Sequence, residues 1–293
     1  MAIRRAGTAA ALAGTAICWV LLLAPLAELL AHISGHGIAH TLTQTGSPGY
    51  GPLWRSLVAS SIALVLMVAL GTPLAYLLAR GRLPFPRLVE AGLVIPLAMP
   101  PLVIGLLLIF LIGPASPIGG PIDRINPNIF GINTFYALVV AEFYEAAPYY
   151  VLAAHAAFST VETRLEEESL LLGDSPLAAF RRVTLPLAAP GLAAGLSMAW
   201  ARAMGAFGAV VIIAYNPPGL PMAIDTGLQA FGLDGALPYA LLLVIAVLPL
   251  PIVTLLWSSR ARDVEGRHDV SLLSEELVGG LAGLRSREQQ ETA

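Results

Sequence analysis

Six continuous apolar runs, separated by polar segments, dominate the pattern of the chain. They lie near 9–31, 57–79, 88–112, 135–158, 188–214 and 236–257. A helix needs roughly 20 residues to cross a hydrocarbon core of about 30 Å, and each run is long enough. The apolar positions do not alternate, and lipid cannot satisfy an open backbone, so helices are favoured over strands. The pattern predicts an all-α, polytopic membrane protein with six transmembrane helices.

Composition agrees with a membrane location. The 293 residues are 57% hydrophobic and 12% charged, against about 25% charged in soluble proteins. The first run is uncharged from Thr8 to Ala27, which is longer than the roughly 7–15 apolar residues of a signal peptide. We therefore expect an uncleaved span rather than a signal peptide.

The arginines predict the orientation of the chain. All sixteen basic residues are arginine, and thirteen of them lie before the first run, in the second and fourth connections or after the last run. Only Arg55 and Arg124 lie on the other side, and Arg202 is within a run. Because basic residues concentrate on the cytoplasmic side, both termini are expected in the cytoplasm. We predict a span and external loop over 1–55, a membrane core over 56–258 with a cytoplasmic loop at 159–187, and a cytoplasmic tail over 259–293.

The sequence contains no pattern typical of an enzyme. It has no lysine and therefore no phosphate-binding Gly-rich loop with its lysine, and it lacks the common zinc-protease and nucleophile motifs. His32, His36 and His40 have a helical spacing that could bind a metal. Gly35, Gly37 and the absence of nearby acidic or cysteine ligands argue against that alternative. We expect no catalytic residue, no metal and no cofactor bound by this chain.

The 159–187 loop carries more structure than a passive connector needs. A helical pattern at 165–172 places Glu166, Glu167 and Glu168 on its exposed side, and Gly173 then permits a sharp turn. Ser175 and Pro176 suit the N-cap and first position of a second helix.

Apolar residues of that second helix predict a contact outside the bundle. Leu177, Phe180 and Val183 recur every third residue and form a stripe suited to a groove on a partner. Pro186 and Pro190 are expected to end the segment before the fifth run. The alternative is an amphipathic loop on the membrane surface, and the glycine turn between two helical patterns favours docking.

The spacing in this loop resembles the EAA loop of ABC-importer permeases. Glu167, Gly173, Val183, Leu185 and Pro186 occupy the places of that motif, whereas Glu168 and Ser169 replace its usual alanines. Stretches at 70–80, 95–106 and 199–209 are similar to molybdate, tungstate and sulfate importer permeases, although Ala206 stands where that subfamily usually has Glu. The resemblance implies a type I ABC-importer permease-like fold. It also implies an ATPase-coupling role for Glu167, Gly173, Ser175, Pro176, Leu177, Phe180, Val183, Leu185 and Pro186.

Ionisable residues within the runs are candidates for the solute pathway. Arg202 and Glu145 each lie near the middle of a run, and Glu142 lies one turn from Glu145 on the same face. A charge there costs at least about 2.5–3.5 kcal/mol unless it pairs or faces water. Two interpretations remain open and are compatible: a Glu145–Arg202 clamp, or a polar lining of the pathway. Asn216 in the following loop is a further candidate.

The resemblance implies a permease subunit in a prokaryotic cytoplasmic membrane that imports a small solute, with a small oxyanion as the first expectation. The expected partners are a cytoplasmic ATPase dimer that uses ATP and Mg²⁺, a second permease copy, an external solute-binding protein and the lipid bilayer, with no nucleic acid. A permease for another solute such as ferric iron is the first alternative. An ion-coupled secondary transporter is the second, and it leaves the 159–187 loop unexplained.

Overall fold

The computed structural model describes residues 2–32, 50–125 and 131–257, and all regular elements within these ranges are helices. The first half contains α1 (Ala2–His32), α2, α3 (Pro86–Ala98), α4 (Pro101–Ile112) and α5 (Gly119–Ile125). Helix α2 comprises Tyr50–Leu66, a π-helical turn at Met67–Gly71, and Thr72–Ala79. His36, His40 and the tail over 259–293 lie outside the described residues.

The second half begins with the long helix α6 (Phe135–Ser159), followed by α7 (Thr163–Leu171) and α8. Helix α8 comprises Pro176–Ala179, a π-helical turn at Phe180–Thr184, and Leu185–Met204. The chain continues with α9 (Gly208–Ile213), α10 (Leu220–Phe231) and α11 (Leu233–Val247), and helix resumes after Leu248 as far as Trp257.

All six predicted runs are largely helical, but they do not form six equivalent spans. By length and apolar composition, four stretches of the described residues could cross a membrane: Leu12–Leu29, Gly51–Ala79, Pro176–Ile213 and Leu233–Trp257. The pair α3 and α4 would make a fifth. Helix α6 is 25 residues long but carries Glu142 and Glu145, which lower its apolar character. It is also the helix with the most buried residues, so its polar groups are shielded by the bundle.

The third predicted run is not one continuous span. Helices α3 and α4 meet at Met99 and Pro100 with a bend of 119°. Pro100 has an extended backbone with ψ 134°, and Pro101 begins α4. Proline disfavours a helical conformation in the residue before it, so consecutive prolines separate the helices.

The expectation that Pro186 and Pro190 end the loop segment was wrong. Helix α8 runs through both prolines, because the π-helical turn at Phe180–Thr184 precedes Pro186. The N–H of Leu185 donates to the carbonyl of Phe180, five residues earlier. The turn at Met67–Gly71 stands in the same relation to Pro73. Proline has no N–H to donate, and a π-helical turn changes the hydrogen-bond pairing just before it, so the helix continues past the proline.

Helix α6 lies at the centre of the bundle and packs against α2, α3, α8 and α9. Its contact with α8 is close because glycines on α8 face alanines on α6. A Cβ on Gly191 would lie 2.6 Å from the Cβ of Ala157, and one on Gly195 would lie 2.7 Å from that of Ala153. These two glycines therefore allow the backbones of α6 and α8 to approach closely.

Candidate functional site

The turn predicted at Gly173 is present between α7 and α8. Gly173 has φ +98°, a conformation that residues with a Cβ rarely adopt. The Oγ of Ser175 accepts a hydrogen bond from the N–H of Ala178 at 3.3 Å, and Pro176 begins the helix. The predicted cap is therefore confirmed, and the chain reverses direction at a defined point.

The side chain of Asp174 stabilises this turn through two hydrogen bonds. One of its carboxylate oxygens accepts a hydrogen bond from the Oγ of Ser169 at 2.8 Å, and the other accepts one from Arg182 at 2.6 Å. Ser169 stands where the EAA motif usually has alanine, and its hydroxyl helps to stabilise the turn. The contacts join the end of α7 to the first turns of α8.

Most of the predicted coupling residues lie on the outer surface of the 159–187 loop. Leu177 is 66% exposed, and the other exposed members are Glu167, Gly173, Ser175, Pro176, Leu185 and Pro186. Val183 is half-buried. Leu171 and Leu172, at the end of α7, are 87% and 89% exposed and extend this apolar surface. Neither leucine was predicted as a coupling residue.

Phe180 is half-buried, whereas Leu177 in the same predicted stripe is exposed. Its ring centroid lies 5.0 Å from that of Tyr76 on α2 and 6.0 Å from that of Phe158 on α6. The ring therefore anchors the loop to its own bundle. The π-helical turn that begins at Phe180 changes the helical spacing between Phe180 and Val183 but not the spacing between Leu177 and Phe180.

Glu166 is buried, contrary to its expected position on the exposed side of α7. One carboxylate oxygen accepts hydrogen bonds from Arg80 through Nη2 at 2.5 Å and Nε at 3.1 Å, and from the hydroxyl of Thr184. The other oxygen accepts one from the hydroxyl of Tyr76 at 3.1 Å. Burial raises the pKa of Glu166, but the hydrogen bonds and the charge of Arg80 outweigh it and lower the pKa below its usual value.

Arg80 is held equally firmly at the end of α2. Its Nη1 donates to the carbonyl oxygens of Phe158 at 3.2 Å and Val161 at 3.0 Å. Neither Arg80 nor Glu166 was predicted as a site residue. The only local signal is that Glu166 and Ser169 are three residues apart, so they share the buried side of α7.

A second polar group lies between α6, α8 and α9. The Nη2 of Arg202 is 2.6 Å from an oxygen of Glu145, so the predicted clamp between these residues is present. The other oxygen of Glu145 accepts a hydrogen bond from the backbone N–H of Ala209 at 2.9 Å. The Nε of Arg202 is buried and has no hydrogen-bond partner among the described residues.

Helix α8 ends beside this ion pair. The fifth predicted run was expected to be continuous over 188–214, but residues 205–207 separate α8 from α9. Arg202 therefore lies in the last turn of α8, where the helix dipole stabilises a cation. Glu145 contacts the first turn of α9, where the dipole stabilises an anion. Each charge is next to the helix end of opposite polarity.

The other predicted pathway residues are placed differently. Glu142 is buried and accepts a hydrogen bond from the Oγ of Ser60 on α2 at 2.8 Å. Asn216 is exposed, and its N–H donates to the side-chain oxygen of Asn133 at 3.3 Å. No hydrogen bond or ion pair within the described ranges joins Asn216 to Glu142, Glu145 or Arg202.

A cavity of about 830 Å³ lies between α2 and α8 beside the loop. Its lining is largely apolar and includes Pro73, Phe180, Leu192, Leu196 and Trp257. It does not include Glu145 or Arg202, so the cavity and the polar group are separate features. Among the described residues no group of three or more His, Cys, Asp or Glu side chains is arranged to hold a metal ion.

Comparison with known proteins identifies the architecture. Residues 71–260 match the family described as the binding-protein-dependent transport system inner membrane component. The chain belongs to this family. The match begins in α2 and includes both the 159–187 loop and the Glu145–Arg202 pair.

Individual relatives of this permease family are similar over most of the chain. A probable molybdenum ABC transporter permease protein of Haloferax volcanii is 39% identical over 65% of this chain and 68% of its own length. The molybdenum transport system permease protein ModB of Escherichia coli K12 is 31% identical over 74% of this chain and 98% of its own length. The molybdate/tungstate transport system permease protein WtpB of Pyrococcus furiosus is 32% identical over 65% of this chain and 70% of its own length.

Solved transporter structures share the fold. A bacterial alginate ABC transporter in complex with an alginate-bound periplasmic protein matches 90% of this chain and 96% of its own, with a TM-score of 0.60 and 16% identity. The MetNI methionine ABC transporter in inward-facing conformations matches 72% of this chain and 92% of its own, with a TM-score of 0.51 and 22% identity. The chain therefore has the predicted all-α, type I permease fold.

Proposed function

We propose that this permease forms the pathway of an ATP-driven importer for a small oxyanion, with molybdate and tungstate as the first candidates. The family match over residues 71–260 carries the proposal. Relatives at 30–39% identity are named as molybdenum or molybdate/tungstate permeases, which supports this class of solute over ferric iron. The chain binds no cofactor and hydrolyses no ATP itself.

The expected assembly pairs two copies of the chain around one pathway, with two ATPase subunits on the cytoplasmic side and a binding protein outside. The exposed surface of the 159–187 loop supports the ATPase contact, because Leu171, Leu172 and Leu177 are large apolar side chains left uncovered. Exposed apolar side chains grouped in this way are typical of protein interfaces. Closure of the ATPase pair would move this loop and switch the pathway to its outward-facing state.

Arg202 is the residue best suited to contact the solute. Its side chain is 30% exposed, and its planar guanidinium offers several donors to an oxyanion. Glu145 neutralises the charge when no solute is present.

The proposal is tested on the complex purified in mild detergent with its ATPase and binding protein. We expect a stoichiometric ATPase partner and two copies of the permease. In proteoliposomes, molybdate or tungstate uptake should require ATP on the ATPase side together with the binding protein. Sulfate and ferric iron serve as matched competitor solutes.

Two results would contradict the proposal. Uptake driven by an ion gradient in the absence of ATP would favour a secondary transporter. ATP-dependent uptake of ferric iron that oxyanions do not inhibit would retain the importer and reject the oxyanion.

A further inference from the structure

The carboxylate of Glu166 joins three helices, of which α2 is distant in sequence from α7 and α8. Arg80 and Tyr76 lie at the end of α2, Thr184 lies in the π-helical turn of α8, and Glu166 itself is on α7. The side chains of Arg80 and Glu166 are 4% and 9% exposed. An ion pair buried this deeply, and hydrogen-bonded on both sides, holds its partners in one relative geometry.

We infer that Glu166 is a positioning residue that transmits movement of the 159–187 loop to α2 and α6. The inference rests on the proposed function, because it assumes that an ATPase moves this loop. It also separates two neighbouring acids: Glu167 is exposed on the outer surface, whereas Glu166 binds the loop to the bundle.

The contacts form a continuous connection from the loop to the middle of the bundle. Arg80 donates to the carbonyls of Phe158 and Val161, so the end of α6 is held by the same guanidinium. About two turns before Arg80 on α2, the hydroxyls of Thr72 and Tyr150 lie 2.6 Å apart and join α2 to α6 again. Tyr150 is five residues from Glu145 on α6, so a displaced loop would move the helix that carries the Glu145–Arg202 pair.

Aromatic contacts also attach the loop to the bundle, but they do not fix its exact position. Tyr76 packs edge-on against both Phe158 and Phe180, at 5.7 and 5.0 Å between ring centroids. Such contacts tolerate sliding, whereas the hydrogen bonds of Glu166 require a defined distance and angle. Loss of the carboxylate should therefore leave the loop attached to the bundle but loosely positioned.

The test measures solute transported per ATP hydrolysed in proteoliposomes, with the wild-type complex as reference. Glu166→Gln preserves the size of the side chain and removes its charge. We expect normal amounts of assembled complex, ATP hydrolysis within about twofold of wild type, and at least a tenfold loss of uptake per ATP. A residue with only a structural role would lower the amount of complex and leave this ratio unchanged.

Glu168→Gln is the matched control. Glu168 lies on the same helix and pairs with Arg164 at 2.8 Å, but both side chains are exposed. Its ratio of uptake to ATP hydrolysis should equal that of wild type. Arg80→Gln should lower the ratio at least as much as Glu166→Gln, because it removes the contact with Glu166 and also the hydrogen bonds to the carbonyls of Phe158 and Val161.

A wild-type ratio in Glu166→Gln would overturn the inference. If that variant does not assemble, Thr184→Val replaces it in the test, since it removes one hydrogen bond to Glu166 and retains the ion pair. A lowered ratio of uptake to ATP hydrolysis in Thr184→Val supports the inference, and an unchanged ratio rejects it. If the wild-type complex itself shows no ATP-dependent uptake, the proposed function fails instead. The two failures are therefore distinguishable.

Discussion

The guanidinium of Arg202 reaches from the last turn of α8 to Glu145 on α6, with 2.6 Å between Nη2 and the nearest carboxylate oxygen. The side chain of Glu145 has no exposed area, and that of Arg202 is 30% exposed. The acid thus depends on the arginine and on the N–H of Ala209 for its stabilisation. The arginine retains access to water or to a solute.

This asymmetry predicts the behaviour of the pair. Arg202→Ala should destabilise the permease by up to about 3 kcal/mol, because it leaves Glu145 buried without its cation. Adding Glu145→Gln should recover much of that loss, since the amide oxygen can still accept from Ala209. Thermal unfolding of the two single variants and the double variant measures the coupling. Arg164→Ala, which breaks an exposed pair, is the control and should cost less than about 1 kcal/mol.

Uptake by the same variants separates pairing from solute contact. If Arg202 also contacts the anion, the double variant should be stable but transport nothing. Wild-type stability and uptake in Arg202→Ala would reject both roles.

A second prediction concerns the close contact between α4 and α9. A Cβ on Gly208 would lie 2.3 Å from the Cβ of Pro101 and 2.8 Å from its carbonyl carbon. Gly208→Ala should therefore destabilise the permease by about 1–3 kcal/mol, since backbone must shift to accept the methyl group. Gly92→Ala is the control, because no atom lies within 4 Å of its Cβ position. Equal unfolding temperatures for the two variants would contradict this packing.

Local signals predicted much of the fold and part of the site. The apolar runs, the turn at Gly173 and the cap at Ser175 depend on residues within a few positions of one another, and all three are present. The Glu145–Arg202 pair was predictable because two opposite charges in apolar runs have few other partners.

Long-range contacts decided the features that were not predicted. Three consecutive glutamates have nearly the same local sequence, and the partners of Glu166 that select it for burial are Tyr76, Arg80 and Thr184, which lie on other helices. Likewise, Pro100 and Pro101 predict a bend but not its angle of 119°, which depends on packing against other helices. The partial burial of the Phe180 ring likewise depends on Tyr76 and Phe158, which lie on other helices.

The turn at Gly173 should be sensitive to any side chain. Its φ of +98° makes a β-branched residue strained by about 1–3 kcal/mol, although no atom lies within 4 Å of the Cβ position. Gly173→Val should insert into the membrane normally and lose at least tenfold in ATP-driven uptake, because the outer surface of the loop is redirected. Gly92→Val, at an open helical position, should transport normally. Full transport by Gly173→Val would refute a coupling role for this turn.

The pH dependence of stability should report on Glu166. Its pKa is lowered in the folded state, so its contribution is fully present above the unfolded pKa of about 4.3 and is lost as pH falls through the lower folded value. The unfolding temperature of wild type should therefore exceed that of Glu166→Gln by a constant amount above about pH 5. The difference should shrink below about pH 4. A difference that grows on acidification would contradict the direction of this shift.

The orientation is tested with single cysteines in a Cys18→Ala background and an impermeant thiol reagent on intact cells. Ser175→Cys, at the exposed start of α8, should be shielded because the arginine distribution predicts a cytoplasmic loop. An external cysteine requires an exposed position near α4, and Ser116 is unsuitable because its hydroxyl is bonded to Leu111 and Gly119. The adjacent Ala115 is exposed, so Ala115→Cys should be labelled. Labelling of Ser175→Cys together with protection of Ala115→Cys would invert the predicted topology and place the ATPase contact on the wrong side.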